Sequence, residues 1–236
     1  MQHRFSALAQ LRTLLEGAPH DDYMTALLRC LQSAEFRSFV LPENGLYLSE
    51  TTPAHVTLTD ELLPFPQLVL EYAAPDLLSY KDGVKTKALL FIVDMLYRPG
   101  EVFIWAMSQS KIEGSPYVWV PCTLGIVQSG GIEITVDAQG NVSTHQEITF
   151  YSSGIQLDGN SDDSPARHLV FYRSLLGRLA HFSMIWNTHN VIHSRVQYPA
   201  RASQLKQGIP PVYYRLTCTG STPFEWLPTS KMRTLN

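Results

Sequence analysis

The sequence predicts an α+β protein with a mainly antiparallel sheet, an N-terminal helical hairpin and one long helix in the C-terminal third. Three observations predict it. Two amphipathic stretches open the chain, many short apolar or alternating segments follow between turn residues, and a long helical period begins at Ser164-Pro165.

In the first stretch, Arg4–Glu16, Phe5, Leu8, Leu11 and Leu15 recur at three- and four-residue intervals and make one apolar stripe. Gly17 suits a C-terminal cap. A second helix starts near His20-Asp21-Asp22, whose acids favour a helix N-terminus, and buries Met24, Leu27, Leu28 and Leu31. Phe39–Leu41 and Leu46–Leu48 flank Glu43-Asn44-Gly45, a tight-hairpin signal. His55–Thr59 alternates. Gln67–Tyr72 follows Leu63-Pro64-Phe65-Pro66, whose prolines favour an edge strand. Ala88–Leu96 is almost wholly apolar and reads as a central strand, turned at Arg98-Pro99-Gly100 into an antiparallel partner, Val102–Met107. Tyr117–Val120, the alternating Ile132, Ile134 and Val136, and Ile148–Tyr151 continue the sheet, with a turn at Asp137–Asn141.

Gly154–Ser164 reads as a long loop. Ser164-Pro165 then supplies a capping hydroxyl and a proline at the first helical position. The helix runs to about Asn187, with Leu169, Tyr172, Leu176, Leu179, Phe182 and Trp186 on one side. Arg167, Arg173, Arg178 and His181 fall on or near the other. Pro211–Cys218 is the last strand. A single domain over 1–218 with a loosely held tail, 219–236, is expected.

The chain has 236 residues, of which 44% are hydrophobic and 17% charged, enough apolar content for a sizeable core. Met1–Glu16 reads as a helix rather than a signal sequence, and no run approaches the ~18 apolar residues of a membrane span. Cys30, Cys122 and Cys218 show neither metal-ligand spacing nor a disulfide framework. A cytoplasmic location, in a reducing compartment, is the expectation.

Charge is unevenly distributed. Residues 1–164 hold nine Lys/Arg against twenty Asp/Glu, whereas residues 165–236 hold nine Lys/Arg against Glu225 alone. The basic third points to an anionic partner, or to pairing with the acidic part of this chain or of a second copy. Its contact candidates are Arg167, Arg173, Arg178, Arg195, Arg201 and Lys206.

Chemical motifs are sparse. Neither GxGxxG nor GxxxxGK[ST] occurs, which excludes nucleotide binding through those loops. There is no GxSxG elbow, and no cofactor is expected. His189 and His193 have metal-like spacing if helical, but Asn190 stands where a metalloprotease carries its glutamate, and Val191-Ile192 favours a strand. Glu71 and Asp94 interrupt apolar strands, and as neighbours they would form an acid–base pair. Otherwise each bonds a loop amide or an arginine such as Arg98. Basic residues interleaved with Phe171, Tyr172, Phe182, Trp186, Tyr198, Tyr213 and Tyr214 also suit single-stranded nucleic acid, although most of these aromatics fall on predicted core faces.

Two segments carry a family resemblance. Leu63-Pro64-Phe65-Pro66 through Glu71-Tyr72 resembles an LP[FY]P…E[YFW] pattern, and Lys206-Gln207-Gly208-Ile209-Pro210-Pro211 resembles a KxGxPP pattern. Both patterns occur in uncharacterised proteins of about 200–250 residues from tailed bacteriophages and prophages. Gln204 stands where the late pattern carries an arginine. The resemblance implies a phage setting in a bacterial host and no particular reaction. The expectation is therefore a non-catalytic interaction protein that binds a host or phage protein or ribonucleoprotein, such as a component of a bacterial defence system. Direct nucleic-acid binding and self-association are further partner options. The alternatives are a hydrolase or nucleic-acid-processing enzyme using Glu71 and Asp94, and a virion structural or assembly component.

Overall fold

In a computed structural model of the chain, the described residues are 22–33, 36–42, 45–58, 65–73, 84–112, 114–128, 132–146, 148–152, 165–187, 191–197 and 212–218. They form α1 (Asp22–Gln32), β1 (Phe36–Val40), β2 (Ala54–Leu58), β3 (Gln67–Ala73), β4 (Val84–Asp94), β5 (Glu101–Ile112) and β6 (Val118–Gln128). β7 (Ile132–Val136), β8 (Val142–Thr144), β9 (Ile148–Ser152), α2 (Pro165–Trp186), β10 (Val191–Gln197) and β11 (Val212–Cys218) follow.

Eight strands make one sheet in the order β10-β11-β1-β3-β4-β5-β6-β9, and β2-β7-β8 make a second, smaller sheet. β4, the almost wholly apolar segment, lies at the middle of the large sheet. Leu89, Phe91 and Val93 face one side and Leu90 and Ile92 the other, all buried. Each face therefore needs a cover. On one side α1 lays Ala26, Leu27 and Cys30 against Val69, Ile92 and Phe103. On the other, α2 and the inner face of the small sheet bury Val56, Ile134, Leu179 and Phe182 against Phe39, Leu70 and Phe91. Because α2 has the large sheet on one flank and β2, β7 and β8 on the other, its residues 175–183 are buried all round. Gly177 permits this closeness, since a Cβ there would sit 2.9 Å from Val142 Cγ2.

Four sequence expectations are corrected. The N-terminal helical hairpin is not shown: among the described residues α1 packs on the sheet without a helical partner, and Arg4–Glu16 lies outside them. The large sheet is mixed, because β1 runs parallel to both β3 and β11. Parallel neighbours need long connections, and the chain meets that need by leaving β1 for the small sheet through β2 before returning as β3. Gly45 does take the positive φ (+73°) that the Asn-Gly pair announces, yet it closes a turn onto Pro42 O (3.0 Å) instead of a hairpin. Finally, β3 is interior, between β1 and β4, and not at an edge. Pro66 precedes the strand and spends its carbonyl on Met95 N–H (2.9 Å), so its ring does not interrupt the ladder.

Candidate binding surface

The cations expected to share one outward face divide in two. Arg173 is exposed on α2. Arg178, five residues later, is rotated about 140° around the helix and is buried, with only 9% of its side chain exposed. Its Nη2 donates to Glu50 Oε1 at 3.0 Å, and its guanidinium lies 5.5 Å from the centre of the Tyr72 ring. His181, one turn on, faces the same segment, its Nε2 3.1 Å from the Thr52 carbonyl. Since a carbonyl only accepts, Nε2 carries the proton in the neutral ring. Burial holds His181 below the usual imidazole range; the Thr52 bond opposes that shift and the Arg178 charge adds to it. Burial likewise raises Tyr72, partly offset by the cation above it. The Tyr72 hydroxyl is buried with no hydrogen-bond partner among the described residues. These groups bolt residues 45–53 onto α2, and Arg178 leaves the set of outward cations.

The two strand acids do not meet. Glu71 and Asp94 share the α1-covered face, but Asp94 is in register with Gln67 and Glu71 with Leu90. Four residues of strand put them roughly 14 Å apart. Asp94, 1% exposed, serves the end of β4: its Oδ1 accepts from Gln67 Nε2 (3.0 Å) and from Leu96 N–H (2.8 Å). The Cys30 thiol also bonds to it, so burial first, then the Asp94 charge, push that thiol far up and leave it inert. Arg98 pairs instead with Glu101 (3.6 Å).

At one end of the sheet order, β10 and β11 bring together chemistry that the sequence scattered. Arg195 is in register with Tyr214, and Tyr214 with Phe39 of β1. The half-buried rings of Tyr214 and Phe65 stack 28° from parallel at 6.4 Å, beside Trp186 and beneath Arg37, whose guanidinium is 5.2 Å from the Phe65 ring centre. Arg195 and Arg215 are both exposed and occupy alternate faces of the sheet, Arg215 resting over Tyr213 at 5.8 Å. Among the described residues no acid pairs with Arg173 or Arg195. Arg167 begins α2, whereas Arg201, Lys206 and His189 lie outside the described residues.

His193 sits within β10, which settles that half of the histidine pair as strand. Among the described residues no group of three His, Cys, Asp or Glu is placed to hold a metal ion, and no helix is long and apolar enough to cross a membrane. Sequence reasoning missed Glu50 and Tyr72 as partners of Arg178, because 128 residues separate Glu50 from the arginine. It also missed Phe65 and Arg37 as neighbours of Tyr214. The proline-flanked Phe65 was the one available hint, since a conformationally fixed aromatic at a strand entry is held for contact. No protein-family model, curated protein or solved structure matches the chain.

Proposed function

We propose that this chain is a non-catalytic interaction protein whose exposed cations, Arg173 on α2 and Arg195 with Arg215 on β10–β11, engage an anionic macromolecule. The observation that carries the reading is the split between Arg178, neutralised within the chain, and Arg173 and Arg195, which stand exposed without an acidic partner among the described residues. A charged group held in water away from its own acids contributes little to folding and is free to steer association. The separation of Glu71 from Asp94 removes the geometric basis of an acid–base mechanism built on that pair. The resemblance of two segments to phage and prophage proteins supports a host or phage partner in the bacterial cytoplasm, a component of a defence system among them. The half-buried Phe65–Tyr214 stack under Arg37 favours a ribonucleoprotein, since rings beside cations accept bases as well as phosphates.

Affinity capture of the tagged chain from phage-infected bacteria tests the proposal. The wild type is expected to retain a partner at low salt and release it at high salt, and Arg173→Ala/Arg195→Ala to lose it at both. Retention of the same partner by the double variant, at the same salt, would sink the proposal.

A further inference from the structure

Residues 49–53 cross the surface between Leu48, which packs against the core, and Ala54, where β2 begins. They join no ladder. Inside the segment, Thr52 N–H closes a turn on Ser49 O (2.9 Å), and the Ser49 and Thr51 hydroxyls lie 2.9 Å apart. Among the described residues, two hydrogen bonds tie this strap to the rest of the chain. Both come from α2, one turn apart: Arg178 Nη2 to Glu50 Oε1 (3.0 Å) and His181 Nε2 to the Thr52 carbonyl (3.1 Å). The β7–β8 turn adds van der Waals contact, with Gly140 leaving room for the Glu50 carbonyl.

The His181 bond is the one that a proton can upset. Its ring is buried, and Nδ1 has no hydrogen-bond partner among the described residues. While the ring is neutral with its proton on Nε2, Nδ1 is an idle acceptor. A second proton makes Nδ1 a charged donor with nothing to accept from it, inside the protein. It also sets a new cation beside Arg178. The charged groups facing the ring are Arg178 from its own helix, which opposes protonation, and Glu50 from the strap, which favours it; burial outweighs both. Tyr72, from β3, adds no charge, because burial pushes its phenol up. The small sheet meets α2 through apolar residues such as Val56, Ile134 and Val142. Its histidines, His55 and His145, lie on the outer face beside Glu133, at 3.2 and 3.8 Å.

We propose that residues 49–53 form an acid-released strap, latched to α2 through His181 and opened when that ring takes up a proton. Opening lets water reach the ring and removes the mismatch at Nδ1. The sign follows from the closed chain, which holds His181 below the usual imidazole range, so the open form binds the proton more readily. The latch is complete above pH ~6.5 and weakens as pH falls below it, the open population rising by at most about tenfold per pH unit. Opening also carries Glu50 away from Arg178 and uncovers that guanidinium with the Tyr72 ring beside it. An arginine that is interior in the closed chain then reaches solvent. This assignment stands on the bonds between α2 and the strap and not on the proposed anionic partner.

Nuclear magnetic resonance of the full chain tests this, with relaxation dispersion reading the minor open population at the Thr51 and Thr52 amides. Exchange there is expected to grow from neutral to mildly acidic pH, in step with the ring resonances of His181, while the Ile134 amide in β7 stays quiet. In His181→Gln the side-chain amide can still donate to the Thr52 carbonyl but does not titrate, so strap exchange should no longer depend on pH. His55 and His145 remain in that variant, which separates their titration from the latch. If His181→Gln does not fold, the wild-type comparison between strap and ring decides alone. Four results would each overturn the proposal: strap amides unmoved while the ring titrates, a ring neutral until the whole chain unfolds, an undiminished pH response in His181→Gln, or equal exchange at Ile134.

Discussion

Arg178 and Arg173 occupy one helix, five residues apart, and removing them should have opposite consequences. For Arg178→Ala the magnitude follows from its contacts. The bond to Glu50 is short (3.0 Å), but Glu50 is 62% exposed, so water screening limits that pair to about 0.5–1 kcal/mol. The guanidinium over the Tyr72 ring adds about 0.5–1 kcal/mol. Methylenes packed on Tyr72 and Gly45 add roughly 0.8 kcal/mol each, for about two of them. Regained side-chain freedom returns about 1.5–2 kcal/mol, leaving a net destabilisation of about 1–2 kcal/mol. In urea unfolding the midpoint should fall by about 0.5 M with the slope unchanged, given a slope of about 2–3 kcal/mol/M for a chain of this size. Arg173→Ala, on an exposed side chain, should stay within about 0.5 kcal/mol of wild type. If Arg178→Ala were equally silent, the bolt between α2 and residues 45–53 would be fictitious. Arg178 would then return to the binding set.

Three other outcomes follow from the same contacts. Gly45→Ala should destabilise by about 2 kcal/mol in denaturant melts, because φ is +73° and a Cβ would meet the Tyr72 ring and Arg178 Cδ at 3.0 Å. Asp94→Ala should cost about 2–3 kcal/mol, since the Leu96 N–H, Gln67 amide and Cys30 thiol lose their shared acceptor inside a closed face. His181 is held neutral, so the unfolded chain binds its proton more readily than the folded one. Its contribution is therefore complete above the ordinary imidazole range, near pH ~6.5, and erodes as pH falls below it toward the depressed folded value. Unfolding free energies at mildly acidic and neutral pH should differ less for His181→Gln than for wild type.

The sequence made the locally encoded parts visible. The apolar run of β4, the alternation of β7 and the Ser164-Pro165 entry to α2 each announce an element through backbone preference and period. The pairings of these elements are not local. β7 alternates as any half-buried strand does, and nothing in Ile132, Ile134 or Val136 says that its partners are β2 and β8 in a separate sheet. Parallel pairing of β1 with β3 likewise depends on an excursion of the chain, not on a turn signal. At the candidate surface, a helical period separates a core face from a polar face only when one flank meets water. The small sheet covers the second flank of α2, so Arg178 and His181, polar by sequence, are interior. Asp94 was readable as an interruption of an apolar strand, and bonding to a loop amide was among its expected roles. The stack of Phe65 on Tyr214 joins residues far apart in sequence and became visible only when β1, β3 and β11 lay side by side.

The most direct measurement is the dissociation constant of the captured partner against salt concentration, for the wild type and for Arg173→Ala/Arg195→Ala. Attraction between these exposed guanidinium groups and an anionic surface predicts that wild-type binding weakens as salt rises. The double variant should bind about tenfold or more weakly at low salt, with a flatter salt dependence. Coincident curves for the two proteins would contradict that account.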